Sequence, residues 1–138
     1  MLDLLSHSPM VQAMDRAMTL ATRRLDLVAG NLANIDTPGY RTRDFDFHES
    51  MKSALQALPG QGLPMTRTDA HHLAGGSGGA NPAPQHVATG QERNDGNNVN
   101  LDRETMLLQR TQSNYVLAST FLQGEVRRTL QAIRDAKA

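Results

Sequence analysis

Apolar side chains in the first quarter of the chain fall at Val11, Met14, Met18, Ala21, Leu25, Val28, Leu32 and Ile35, with spacings that alternate three and four. A strict seven-residue period places all of them on one narrow seam of an α-helix and calls for a left-handed supercoil with a partner helix. Ser8-Pro9 marks the start: Ser is a favoured N-cap, and Pro fits the first helical position because its missing N–H has no partner there. Pro38 disfavours the α conformation at Thr37, so the helix stops near Asn34. From residue 9 to 34 it spans ~39 Å at ~1.5 Å per residue. Gly30, inside it, costs roughly 1 kcal/mol relative to Ala; it is either a point of close backbone approach or a tolerated defect. The period alone fits a partner helix in the same chain as well as one in another. After the helix, Thr37-Pro38-Gly39-Tyr40 suits a type II turn, with Pro at the second position and Gly supplying the positive φ at the third.

A second periodic segment opens near Asn100, a good N-cap, followed by Asp102 and Glu104, whose charges complement the helix dipole. Leu101, Leu108, Tyr115 and Leu122 recur at seven, and Val126, Leu130 and Ile133 continue the apolar face. Arg127, Arg128, Arg134 and Lys137 gather at the far end, where positive charge is favourable. The helix can reach ~50 Å. Gln112 and Ser119 fall beside the seam; polar positions there either fix register or sit on a partly solvated face, and Ser119 is read as largely solvated. Between the arms, residues 59–98 hold eight Gly and four Pro in forty, and Gly75-Gly76-Ser77-Gly78-Gly79 has the composition of a flexible linker. A short helix is expected over 51–58, with extended segments over 63–67 and around Val87. The expected fold is mainly α: long N- and C-terminal helices packed as a coiled-coil-like pair, joined by an irregular Gly/Pro-rich middle with little β. The division is 1–40, 41–99 and 100–138, with both arms forming one structural unit.

Composition adds constraints. The 138 residues carry 14 Lys+Arg against 14 Asp+Glu, so the net charge is zero. That argues against nucleic acid or an anionic membrane as the main partner. Three Phe, two Tyr and no Trp leave burial to Leu, Met, Ala and Val, which favours helix seams over a thick core; Met10, Met14, Met18 and Met51 are seam and gap fillers. Without Cys there is no disulfide framework or thiolate metal site. The first residues, Met1 to His7, lack the basic and apolar regions of a cleavable secretory signal, and no apolar run approaches the ~20 residues of a membrane span. His71-His72 beside Asp69 invites a metal reading, but adjacent His side chains on a strand diverge, and His7, His48 and His86 are scattered. Residues 75–79 lack the Gly-Lys-Ser/Thr ending of a phosphate loop, and no Gly-x-Ser-x-Gly elbow occurs. The expectation is no catalysis, no metal and no cofactor.

Gly30-Asn31-Leu32-Ala33-Asn34-Ile35-Asp36-Thr37-Pro38-Gly39-Tyr40 resembles the N-terminal signature of the flagellar axial proteins, the superfamily of rod, hook and hook-associated subunits. The small insertion between the arms, Arg43-Asp44-Phe45-Asp46-Phe47 after the turn, and the run from Asp95 to Glu104 are similar to the proximal rod proteins of that superfamily. Residues 66–73 resemble a family element more weakly. The resemblance implies a structural subunit exported unfolded by the flagellar type III apparatus and assembled in the periplasm at the base of the rod. It implies as partners other copies of the chain, other rod proteins, the rod–MS-ring junction protein and the MS ring. The assembly interface is expected at Val11, Met14, Met18, Ala21, Leu25, Val28, Asn31, Leu32, Asn34, Leu108, Tyr115, Leu122, Val126 and Ile133, with Thr37, Pro38, Gly39 and Tyr40 as the turn. Two alternatives are a second proximal rod component, whose motif normally carries an inserted loop around the Pro-Gly turn, and a coiled-coil chaperone or regulatory binding module.

Overall fold

The computed structural model describes residues 8–56, 82–90 and 92–135. Helix α1 runs Pro9–Ala33, strand β1 Arg43–Asp44, helix α2 Phe47–Gln56, strand β2 Gln85–His86 and helix α3 Leu101–Asp135. The fold is mainly α, with long helices at both ends of the described chain. Helix α1 starts where Ser8-Pro9 places it, but Ser8 makes no side-chain cap bond. Its backbone carbonyl takes the Gln12 N–H instead, at 3.1 Å. At α3 the side chain does cap: Asn100 Oδ1 accepts the Arg103 N–H at 3.0 Å, which satisfies one of the orphan donors of the first turn.

Helix α2 begins at Phe47, earlier than expected. Asp46 is the reason: its Oδ1 accepts the Glu49 N–H at 2.9 Å, and its carbonyl accepts that of Ser50 at 3.0 Å. Asp followed three residues later by Glu is a helix-start signature that fixes this boundary. Strands β1 and β2 pair antiparallel, Arg43 opposite His86 and Asp44 opposite Gln85. This two-stranded patch lies where extended chain was expected around Val87. The extended segment expected over 63–67, the His71-His72 pair and the glycine run at 75–79 lie outside the described residues.

Helices α1 and α3 pack side by side and antiparallel, the end of α1 meeting the start of α3. On α1, Leu20, Ala21, Val28 and Asn31 are buried. On α3 the buried residues are Glu104, Thr111 and Ala118. These recur at seven, one row over from Leu108, Tyr115 and Leu122, which are half-buried. The two rows form one seam, and its deeper half is largely polar. Leu101, placed on the seam by its spacing, is instead 53% exposed, because it is the first residue of the helix. Ser119, expected to be largely solvated, is half-buried. Its hydroxyl donates to the Val116 carbonyl at 2.8 Å. Among the described residues, nothing beyond Gly30's own helix lies within 4 Å of where its Cβ would sit, so no close approach by another described segment explains it.

The described hydrophobic core is thin: Leu20, Ala21, Val28, Phe45, Val99 and Ala118. Fully burying side chains of Leu or Val size yields only ~1.5–3 kcal/mol each. The polar contacts at the junction of the two helices therefore carry more of the specification than in a thick-cored domain.

Candidate functional site: the helix junction

The local turn comes first. Tyr40 N–H donates to the Thr37 carbonyl at 3.2 Å, and Gly39 has φ +73°, as a turn with Gly at its third position requires. Asn34 follows the last residue of α1, and its Nδ2 donates back to the Gly30 carbonyl at 2.8 Å. Its Oδ1 accepts the Thr37 hydroxyl at 3.2 Å. Asn34 thus closes the helix and opens the turn.

Distant residues then clamp this turn. Asn97, fully buried, points its amide nitrogen at three carbonyls, those of Asn34, Ile35 and Thr37, at 3.0, 3.0 and 2.8 Å. Its oxygen accepts the Val99 N–H at 2.7 Å. Asn98 accepts the Thr42 N–H at 2.7 Å and donates to the Val87 carbonyl at 2.9 Å. Gly39 N–H donates to the Asp95 carbonyl at 2.9 Å. The stretch just before α3 is therefore stitched along the stretch just after α1, and each side chain satisfies backbone groups that a helix end or a turn leaves unpaired.

One step inward, Asn31 uses its full hydrogen-bonding capacity. Its Nδ2 donates to the Arg43 carbonyl at 2.9 Å and to Glu104 Oε2 at 3.0 Å. Its Oδ1 accepts the Arg43 N–H at 3.0 Å and the Tyr40 hydroxyl at 3.2 Å. Glu104, wholly buried on α3, also pairs with Arg103. Arg103 reaches Asp44 at 3.3 Å, and Asp44 takes a two-pronged bond from Arg24 at 3.1 and 2.7 Å. The Arg24 guanidinium lies 5.7 Å from the centre of the Phe47 ring. The chain Arg24–Asp44–Arg103–Glu104–Asn31 crosses from α1 through β1 to α3 and back. A fully satisfied polar network of this kind fixes which residues may face each other, whereas an apolar seam tolerates a slip of one turn.

The two asparagines expected at the assembly interface are thus engaged within the chain. Of the other seam residues, Ala21 and Val28 are buried, while Val11, Met14, Met18, Leu25, Leu32, Leu108, Tyr115, Leu122, Val126 and Ile133 are half-buried. In the turn, Thr37, Pro38 and Gly39 are exposed and Tyr40 is half-buried. Asp44, Asn97 and Asn98 fall in stretches that sequence reasoning marked only by resemblance and gave no role, Arg24 was missed, and Glu104 was read as a dipole residue. The signal for Glu104 was its place seven before Thr111 and fourteen before Ala118; for the others the partners are too remote along the chain to announce themselves.

Beside the network an open cleft of about 750 Å³ is lined by Arg24, Asp44, His48, His86, Arg103 and Arg110, among others. Among the described residues, no three His, Cys, Asp or Glu side chains converge in a metal-holding arrangement. No described helix is long and apolar enough to cross a membrane.

Comparison with known proteins fits this arrangement. A family model described as "Flagella basal body rod protein" matches residues 13–41, which cover most of α1 and the turn. The flagellar basal body rod protein FlgB of Escherichia coli K12 is 30% identical over 123 residues, spanning 86% of this chain and 88% of that protein. The chain belongs to the FlgB family of flagellar basal body rod proteins. FlgB of Salmonella typhimurium is 29% identical over 122 residues, and FlgB of Buchnera aphidicola 27% over 127, each covering 86% of this chain. This FlgB-family chain is a structural subunit of the proximal rod of the flagellar basal body and not an enzyme. The junction described above joins the matched segment to the C-terminal helix.

Proposed function

We propose that the chain is exported unfolded through the flagellar type III apparatus without a cleaved signal, folds at the base of the rod in the periplasm, and locks its two helices there into one unit of the drive shaft. Its partners in this reading are other copies of itself, the other rod proteins, the rod–MS-ring junction protein and the MS ring. The observation that carries the reading is the junction. It holds two long helices in a fixed antiparallel register by polar contacts around a thin core, which suits a subunit whose remaining burial comes from neighbours. The half-buried seam residues, from Val11 and Met14 through Leu122, Val126 and Ile133, supply the flanks for that burial, and the turn at Thr37–Tyr40 sits at the end of the unit.

Leu122→Asp tests it. Leu122 lies on the half-buried row of α3, and a carboxylate placed there lacks a partner, so the helix avoids docking. The subunit should still be exported, since export precedes folding, but no rod should form and cells should not swim. Gln123→Asp, on the neighbouring exposed position, is the control and should be nearly silent. A swim assay with immunoblots of exported subunit and of isolated basal bodies reads both. Normal swimming by Leu122→Asp cells, or absence of the wild-type chain from basal bodies, would overturn the proposal.

A further inference from the structure

The buried seam accounts for one side of each long helix, and the opposite sides differ in character. On α3, Met106 is 71% exposed, Leu117 56% and Phe121 52%. At ~100° per residue these three, with Ser113 and Gly124, fall within ~80° of arc, facing away from Glu104, Thr111 and Ala118. Val116, 60% exposed, borders them. Arg110 and Arg128 share that arc, toward either end of the row, and Arg127 borders it; all three are exposed, and Arg128 lies 3.3 Å from Glu125. Large apolar side chains aligned in water mark a contact surface rather than scattered surface residues.

The outer side of α1 is the counterpart in size and charge. Asp15, Thr19, Thr22, Asp26, Ala29 and Ala33 are all exposed and fall within a similar arc, opposite Leu20, Val28 and Asn31. Small side chains there leave room for large ones, and the charges are acidic where those of α3 are basic. No ion pair is found for Asp15 or Asp26 among the described residues.

From this complementarity, and resting on the rod-subunit reading above, we infer that the outer face of α3, carrying Met106, Leu117 and Phe121, docks on the outer α1 face of a second copy of this chain. Two different faces meet, so the contact is heterologous. Such a contact repeats from copy to copy in a ring or helix, whereas a face that met itself would stop at a dimer. The Arg side chains in and beside the stripe approach Asp15 and Asp26 of the neighbour, where opposite charge selects the partner and orientation more than it adds affinity. Because the junction fixes how α1 and α3 sit within a subunit, it also fixes the angle between the two docking faces.

The chain has no cysteine, which makes the test clean. Leu117→Cys, Thr22→Cys and Ala29→Cys are made singly in the full chain, and each is expressed alone or with another in the source bacterium. Isolated basal bodies are then treated with a short bismaleimide. The inference expects crosslinked dimer when Leu117→Cys is co-expressed with Thr22→Cys or Ala29→Cys, and none from any variant alone. Dimer from Leu117→Cys alone would mean that α3 meets α3. No dimer in any combination, with the chain present in the basal bodies, would equally refute the assignment. If the wild-type chain is absent from basal bodies, the rod-subunit reading itself fails, which is a separate outcome. Should the cysteines block assembly, charge reversal decides. Asp15→Arg/Asp26→Arg and Arg110→Asp/Arg127→Asp should each reduce swimming severalfold, and co-expression should restore it, because each variant then offers the face that the other lacks. Unrestored swimming would overturn the inference.

Discussion

Asn97→Asp changes one amide nitrogen to oxygen at a wholly buried site. In the native junction that nitrogen faces the carbonyls of Asn34, Ile35 and Thr37. These carbonyls do not all become orphans, because each keeps another donor. Asn34 O accepts the Thr37 N–H, Thr37 O the Tyr40 N–H, and Ile35 O the Arg93 guanidinium. The loss is therefore smaller than a count of three bonds implies. Two donor hydrogens are removed, at ~1 kcal/mol net each. The carboxylate that replaces the amide still accepts from Val99 N–H, but its other oxygen points at carbonyl oxygens in a site closed to water, which adds a desolvation and repulsion cost of a further ~1–3 kcal/mol. The sum is ~3–5 kcal/mol. Asn97→Ala lacks the repulsion but strands the buried Val99 N–H, and should cost ~2–4 kcal/mol on the same scale. Urea titration of the helical circular dichroism of purified chain reads the difference. With a slope of ~1–3 kcal/mol per M in urea, Asn97→Asp should lower the midpoint by more than ~1 M or leave no folded baseline. Asn97→Asp should also abolish swimming while export continues. An unchanged midpoint together with normal swimming would show that Asn97 does not clamp the turn, and the account of the junction would fail.

Gly39→Val introduces a β-branched residue at φ +73°, and since no other described segment lies within 4 Å of its Cβ position, the expected effect is backbone strain. We expect ~1–3 kcal/mol, lost motility and retained export, with Gly39→Asn much milder in the same swim assay because Asn tolerates positive φ. Asp44→Ala removes the shared acceptor of Arg24 and Arg103; the cost should be about 2–3 kcal/mol, below the ~3–5 of a fully buried pair, because both cations retain some access to water. Glu92→Ala breaks the exposed pair with Arg41, whose side chains are 51% and 47% exposed; it should change stability by under ~1 kcal/mol, and that change should vanish in high salt. Urea midpoints of these two variants measured side by side check the ranking, and equal effects would contradict it.

What the sequence determined by itself was local. Ser8-Pro9, Asn34 and Asn100 set the ends of the long helices because a helix terminus is decided by groups within one turn of it. Pro38 and Gly39 set the turn through their own φ preferences, and the seven-residue period found Ala21 and Val28 on the buried side of α1, though not Leu20 and Asn31, which lie beside the seam. The start of α2 is local as well, written in Asp46 and Glu49. Tertiary structure alone decided which row of α3 goes deepest. A heptad marks two adjacent rows, and Leu108, Tyr115 and Leu122 outrank Glu104, Thr111 and Ala118 in apolarity. The polar row is nonetheless the deeper, because Glu104 meets Asn31 across 73 residues of chain. The same holds for Asn97, whose three acceptors lie 60 to 63 residues away. Asn97 does not differ by its own sequence pattern from a loop residue, and nothing local to Asn31 names Glu104 as its partner. Their role exists only once both helices are in place, because a buried amide is satisfied by partners that folding brings to it and not by its neighbours in the chain.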